Sequence, residues 1–178
     1  MMPNETIQTI CSRKSIRKYL PDPVPKEMIE TILECARFAP SGLNNQPWRY
    51  IVIEQKNTKI SLSKLTHYSE IMLSAPVLIA GFLDTAASYH REKDIAAMGA
   101  SLENILLAAH SLGLGAVWLG EILKNKDQVA KILNAPDNFE LIAVIAIGFF
   151  ESGPMVSGER TDRKNLDEII FWEKYPKN

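Results

Sequence analysis

The sequence predicts a single α+β domain, and three features carry that prediction. Apolar, β-branched and aromatic runs at 48–54, 76–84, 116–120 and 139–150 read as strands. They are too few and too irregularly spaced for a clean doubly wound parallel sheet. The stretches between them show helical rather than alternating periodicity, one of them spanning Glu92–Leu112. At 178 residues, 46% hydrophobic and 23% charged, the chain is long enough to bury one core of ordinary composition.

The elements can be justified in order. Asn4 can cap a short helix through Cys11, with Ile7 and Ile10 on its inner side. "LPDPVP" forces an extended segment, since proline lacks the N–H a helix needs. In Lys26–Phe38 the residues Met28, Ile29, Ile32, Leu33 and Ala36 fall at helical spacing, and Pro40 ends the run. "WRYIVIE" (Trp48–Glu54) is a strand, Asn57–Leu65 a helix, and "PVLIAGFLD" (Pro76–Asp84) a buried strand. Glu92–Leu112 carries an apolar stripe of Ile95, Met98, Leu102, Ile105, Leu106 and Ala109, thinned by small residues so that it can sit deep inside. Gly113 and Gly115 stop it, and "AVWLG" follows as a short strand. Lys126–Leu133 is a helix, and Phe139–Phe150 a long apolar strand. From Glu151 to Lys164 the chain is polar, and "LDEIIFWEKY" closes it as an amphipathic tail. If one core is already complete, Ile169, Ile170, Phe171 and Trp172 need a partner subunit to cover them.

Composition narrows the function. A net charge of −1 excludes general nucleic-acid binding, which calls for a basic stripe. No leader or apolar run long enough to span a membrane is evident, and Cys11 and Cys35 lack any CxxC spacing. They read as small core residues of a protein in a reducing, cytoplasmic setting. His67, His90 and His110 have no metal-ligand spacing, and there is no GxSxG elbow.

Positive charge is instead local. Arg13, Lys14 and Ser15 offer a guanidinium fork, an ammonium and a hydroxyl at consecutive positions, a set that suits a terminal phosphate. Arg17 would point the same way as Ser15 in an extended segment. "PSGLNNQPW" follows the second helix: Ser41 and Gly42 permit close backbone approach, and Asn44, Asn45 and Gln46 bring donors and acceptors suited to a flat heterocycle. "GLGAVWLG" is neither a dinucleotide fingerprint nor a P-loop, but a strand end able to present N–H groups. A site for an anion and a ring, with no evident acid, base or nucleophile, fits a protein whose cofactor carries the chemistry.

"SRKSIRKY", "APSGLNNQPW", the long helix into "GLGAVWLG", and "DRKNLDEIIFWE" together resemble the nitroreductase family of FMN-dependent oxidoreductases, over nearly the whole chain. The resemblance implies a three-layer α+β fold, with a mixed, mainly antiparallel sheet flanked by helices. It implies an intertwined homodimer with two FMN sites at the interface, residues 151–178 of each subunit embracing the other. Arg13, Lys14 and Ser15 match its phosphate and ribityl contacts, and Arg17 the cation beside flavin N1 and the C2 carbonyl. Ser41 and Gly42, with Asn44 and Gln46 in the same loop, match the segment that reaches the flavin from the other subunit. Trp118, Leu119 and Gly120 match the segment along the ring, and Arg163 the basic residue that returns to the phosphate. The implied reaction passes hydride from NADH or NADPH through flavin N5 to a nitroaromatic, quinone or similar small-molecule acceptor by ping-pong kinetics. Reductive dehalogenation, flavin fragmentation and FMN storage are the alternatives. The chain departs from the family pattern at Asn165, where proline is usual, at Thr161, often basic in relatives, and in "YSEIML" (Tyr68–Leu73), which lacks an amide and a lysine.

Overall fold

The computed structural model describes residues 4–151 and 163–176. Helix α1 (Glu5–Ser12) begins where the Asn4 side chain accepts from the Ile7 N–H at 3.0 Å. After an extended segment come α2 (Lys26–Arg37), β1 (Trp48–Ile53), α3 (Lys56–Ser63), α4 (Ser69–Ser74) and β2 (Val77–Asp84). The long α5 (Arg91–Ser111), β3 (Gly115–Leu119), α6 (Lys126–Ile132) and β4 (Phe139–Gly148) complete the domain. Short 3-10 turns lie at Gly42–Asn44, Glu121–Asn125 and Leu166–Glu168.

The strands form one antiparallel sheet in the order β1-β2-β4-β3. Alternation of side chains sorts them into two cores. Val77, Ile79 and Leu83 of β2 with Ala143, Ile145 and Ile147 of β4 meet α2 and α5 on one face. Leu78, Ala80 and Phe82 with Val144 and Ala146 meet α3, α4 and α6 on the other. The sheet is therefore the middle of three layers, buried on both faces. That burial explains why β2 and β4 read as continuous apolar runs rather than alternating ones. The pairing slips by one residue at Gly81/Phe82, a bulge that keeps both strands on register at their far ends.

The α+β class and the helices flanking a mainly antiparallel sheet agree with the sequence. One element escaped it. Helix α4 is a single turn and a half of "SEIMLS", too short to display a helical period. One reading is corrected: Cys11 is exposed and Cys35 half-buried, so neither is a core residue. Helix α1 packs against α5, and among the described residues nothing covers its outer face enough to bury a side chain.

The tail is the other element without a home. Leu166 is 69% exposed and Trp172 87%, with Ile169, Ile170, Phe171 and Tyr175 also open to solvent. Phe171 and Tyr175 form a tilted ring pair, 4.5 Å between centroids.

Candidate functional site

Two patches anticipated in the sequence lie at opposite corners of the sheet. The cationic segment runs past the outer edge of β3: Ser15 bridges Ala116 in parallel, and the Ile16 N–H donates to the Ala116 carbonyl at 3.0 Å. It then crosses the end of β4, where the Leu20 N–H meets the Phe149 carbonyl at 2.8 Å and the Tyr19 hydroxyl donates to the Ala146 carbonyl at 3.0 Å. Gly115 makes this approach possible, since a β-carbon there would lie 2.7 Å from Ile16 Cβ. Ser15 and Arg17 are both exposed while Ile16 between them packs inward, the alternation an extended segment requires. Arg13 and Lys14 are half-buried; Arg13 Nε lies 3.1 Å from Glu103 Oε1 on α5. Beside it His110 faces the Ser12 hydroxyl at 2.8 Å, and burial, then the Arg13 charge, hold its imidazole below its ordinary pKa.

The same edge carries the third motif. Along β3 only Trp118 turns to solvent, at 37% exposure, between buried Val117 and Leu119. A β-carbon on Gly120 would meet only the Trp118 ring at 3.7 Å, so the surface over Gly120 is open. The next residue is an ion-paired carboxylate. Glu121 is held ionised, its pKa brought down to about 2 by Lys124, then by the Thr66 hydroxyl at 2.6 Å, with the His67 N–H at 3.1 Å also donating. Its work is to tie the turn after α3 to the end of β3.

The amide loop occupies the far corner, leading into β1. Its backbone is unusual: Leu43, Asn44 and Gln46 have φ of +54°, +54° and +46°, left-handed values that cost a non-glycine residue about 1 kcal/mol or more. Ser41 Oγ accepts from the Gln46 N–H at 3.1 Å, and Gln46 Nε2 folds back on the Asn44 carbonyl at 3.2 Å. Asn44 and Gln46 are exposed, whereas Asn45 turns inward and donates to Asp94 Oδ1 at 2.9 Å and to the Ala87 carbonyl at 3.1 Å. Gly42 lies directly under Tyr89, whose hydroxyl would be 1.9 Å from an added β-carbon.

Register sets the separation. Trp48 aligns through Leu83 with Glu140, and Ala116 aligns with Ile147. Steps of ~3.4 Å along β4 between those points span about 24 Å, and the strand spacings from β1 to β3 add about 14 Å across. One mononucleotide cannot touch both corners of the same chain. Arg13, Lys14, Ser15, Arg17, Trp118, Leu119 and Gly120 thus share an edge, while Ser41, Gly42, Asn44 and Gln46 stand apart. Arg163 heads the exposed tail, and Arg160 and Thr161 lie outside the described residues.

A sequence model described as the Nitroreductase family matches residues 10–149. The chain belongs to the nitroreductase family. Among its relatives, a protein of Archaeoglobus fulgidus provisionally named NADH dehydrogenase/NAD(P)H nitroreductase is 33% identical, covering 93% of this chain and 96% of its own. An FMN reductase [NAD(P)H] of Bacillus subtilis is 28% identical, covering 82% of this chain and 66% of its own. Among solved structures, a nitroreductase-family protein of Desulfovibrio desulfuricans in complex with FMN is 39% identical and superposes with a TM-score of 0.88. That match covers 98% of this chain and 100% of the other.

Beside the two patches, Asp94 and Glu121 hold structural hydrogen bonds that sequence reasoning passed over, and Asn45 turns to Asp94 rather than to the open face of the loop. Asn45 was legible only as one amide of three, and Asp94 only as an acid in the first turn of a helix. Their partners are remote in sequence, and nothing local announces them. Among the described residues no cluster of metal-ligating side chains occurs, and no helix is long and apolar enough to cross a membrane.

Proposed function

We propose that this protein is an FMN-dependent oxidoreductase that takes electrons from NADH or NADPH and passes them to a nitroaromatic, quinone or similar planar acceptor. The observation that supports the reading is the separation of the two patches, which a second copy of the chain would reconcile by bringing its loop to this chain's cationic edge. The donor set fits FMN. Arg13, Lys14 and Ser15 offer charge and hydroxyl to the phosphate, and the open surface at Gly120 beside Trp118 offers an N–H and a flat wall to the ring. Ser41 and Gly42 of the partner subunit's loop would close the ring from the other side. Arg163 would return from the tail to the phosphate.

A homodimer also accounts for surfaces this chain leaves bare. An open groove of about 500 Å³ between α1, α2 and α5 is lined by Thr6, Ile10, Cys35, Phe38, Leu107 and Ala108, and the apolar side chains of the tail stay exposed among the described residues. Together they supply the self-complementary apolar area that a two-fold interface needs.

Bound FMN supplies the hydride relay between donor and acceptor. The chain's contribution is electrostatic and steric. Arg17 would hold a cation beside the ring where negative charge accumulates, favouring the reduced state. With no acid or base assigned beside the ring, protons would come from water or from the acceptor. A site that admits donor and acceptor in turn would give ping-pong kinetics.

The test is an anaerobic absorbance titration of the purified protein with NADH and then NADPH. The expected result is a flavin spectrum that bleaches, the effective nucleotide identifying the donor. A colourless protein that ignores added FMN overturns the reading, as does a flavin that stays oxidised with both nucleotides. Arg17→Ala is expected to retain much of the FMN affinity while making reduction less favourable by about 1–3 kcal/mol, the loss of one charge-assisted hydrogen bond. Potentiometry against reference dyes measures it, and an unchanged potential removes Arg17 from that role. Arg163→Ala is expected to weaken FMN binding with the potential nearly unmoved.

A further inference from the structure

We propose that Asp94 is a positioning residue for the Ser41–Gln46 loop, acting through Asn45 to hold that loop in the shape that meets the flavin. The inference rests on the functional reading above and extends it to residues that touch neither cofactor nor substrate.

The two oxygens of Asp94 have divided duties. Oδ2 accepts from the Ser88 hydroxyl at 2.6 Å, the Tyr89 N–H at 3.0 Å and the His90 N–H at 3.2 Å, which together close the first turn of α5. Oδ1 accepts from Asn45 at 2.9 Å and so reaches across to the loop. The carboxylate is fully buried. Burial raises its pKa, but the bonds from Ser88, Asn45, His90 and Tyr89 outweigh that and leave it below the ordinary value. It is charged at neutral pH, and a charged acceptor makes the stronger hydrogen bond.

The loop needs such an anchor. Left-handed backbone at Leu43, Asn44 and Gln46 persists only where the surroundings over-determine it. Most of what the loop offers itself is local: the Asn44 N–H to the Ser41 carbonyl, the Asn45 N–H to the Gly42 carbonyl, and the Gln46 N–H to the Ser41 hydroxyl. Those bonds define a turn but do not say where it points. Asn45 ties it to a rigid place, the start of the longest helix, and Ala87 and Asp94 receive both its N–H groups. The same carboxylate holds the Tyr89 backbone, and Tyr89 lies over Gly42. One buried charge therefore sets both the loop and the residue packed on it.

Asn45→Ala separates the two duties, because it removes the bond to Oδ1 and leaves the helix cap intact. The experiment compares parent and variant holoprotein by hydrogen exchange at the 42–46 amides and by FMN dissociation constant from flavin fluorescence. Faster exchange confined to the loop is expected, with FMN bound roughly 5–30-fold more weakly, as the loss of ordinary buried hydrogen bonds implies. Exchange in α5 and the melting temperature should stay close to the parent. Asp94→Asn, which keeps the shape and removes the charge, should shift loop exchange in the same direction and serves if the alanine variant fails to fold. Unchanged loop exchange overturns the proposal, as does a loosened loop with unchanged FMN affinity. A parent protein that binds no FMN would instead overturn the functional reading itself, so the two failures are told apart by the control.

Discussion

A chain ending at Glu151 is expected to elute as a monomer and to lose its flavin on gel filtration, while its sheet stays folded. The argument starts from the tail. Leu166, Ile169, Ile170, Phe171, Trp172 and Tyr175 are all exposed in the isolated subunit, a density of open apolar side chains that a solvated terminus does not carry. Full burial of one such side chain is worth about 1.5–3 kcal/mol, so covering even part of this set against a partner contributes on the order of 10 kcal/mol per tail. Two-fold symmetry counts that contribution twice, enough to exceed the association cost of about 4–15 kcal/mol. Among the described residues both hydrophobic clusters are built from positions before 151, so the domain core should survive the truncation. Light scattering and the visible spectrum read the outcome together. A truncated dimer that keeps its flavin would show that the tail is ornamental and would move the interface to the α1–α2–α5 groove. A truncated monomer that keeps its flavin would show that one subunit forms the site alone, against the separation of the two patches. Arg163→Ala provides the control, since it removes a proposed phosphate contact without touching the apolar tail.

Legibility in the sequence followed the range of the physical cause. Helices α2 and α5 were readable because their apolar spacing is a local code, and β2 and β4 because burial on both faces leaves an unbroken apolar run. The cationic segment and the amide loop were visible as compositional oddities, and motif resemblance assigned them to opposite sides of one flavin. What composition could not say is that they lie at opposite corners of the sheet. That fact depends on strand order β1-β2-β4-β3, and the order follows from which faces pack together rather than from any single segment. Cys11 and Cys35 were misplaced for a related reason: helical periodicity marks an inner side but does not say whether this chain or another covers it. The bond between Asn45 and Asp94 was invisible because the two residues are distant in sequence and each looks ordinary where it stands. Glu121 was missed likewise. Its partners Thr66 and His67 come from the turn between α3 and α4, far earlier in the chain, and only the fold brings them together.

Phe82→Ala is expected to cost about 3–5 kcal/mol, the largest single-residue effect on stability in this domain. Phe82 is fully buried on β2, a central strand, and its ring stands 6.2 Å from that of Phe139 in a tilted pair. It is packed among Leu62 of α3, Met72 of α4 and Val144 of β4, elements fixed by the sheet and by each other. Pairing with β1 on one side and β4 on the other leaves β2 little freedom to settle inward and fill the space. The cavity would therefore persist, and the lost contacts would not be recovered. For a chain of this size each kcal/mol lowers the melting temperature by roughly 2–4 °C, so the expected drop is roughly 6–20 °C. Denaturant unfolding of the flavin-free protein gives the free energy directly, with the slope m unchanged if only stability has moved. Function should respond differently. The cavity opens on the face covered by α3, α4 and α6, whereas the cationic edge and the amide loop are held by β3, α5 and the start of β1. Well below its melting temperature the variant should bind FMN as the parent does. Weakened binding at low temperature would mean that strain at the Gly81/Phe82 slip reaches the loop through the paired end of β1, where Trp48 aligns with Leu83. Unweakened binding would show that the three layers divide their work: one helical face holds the sheet together, and the other, through α5, shapes the site.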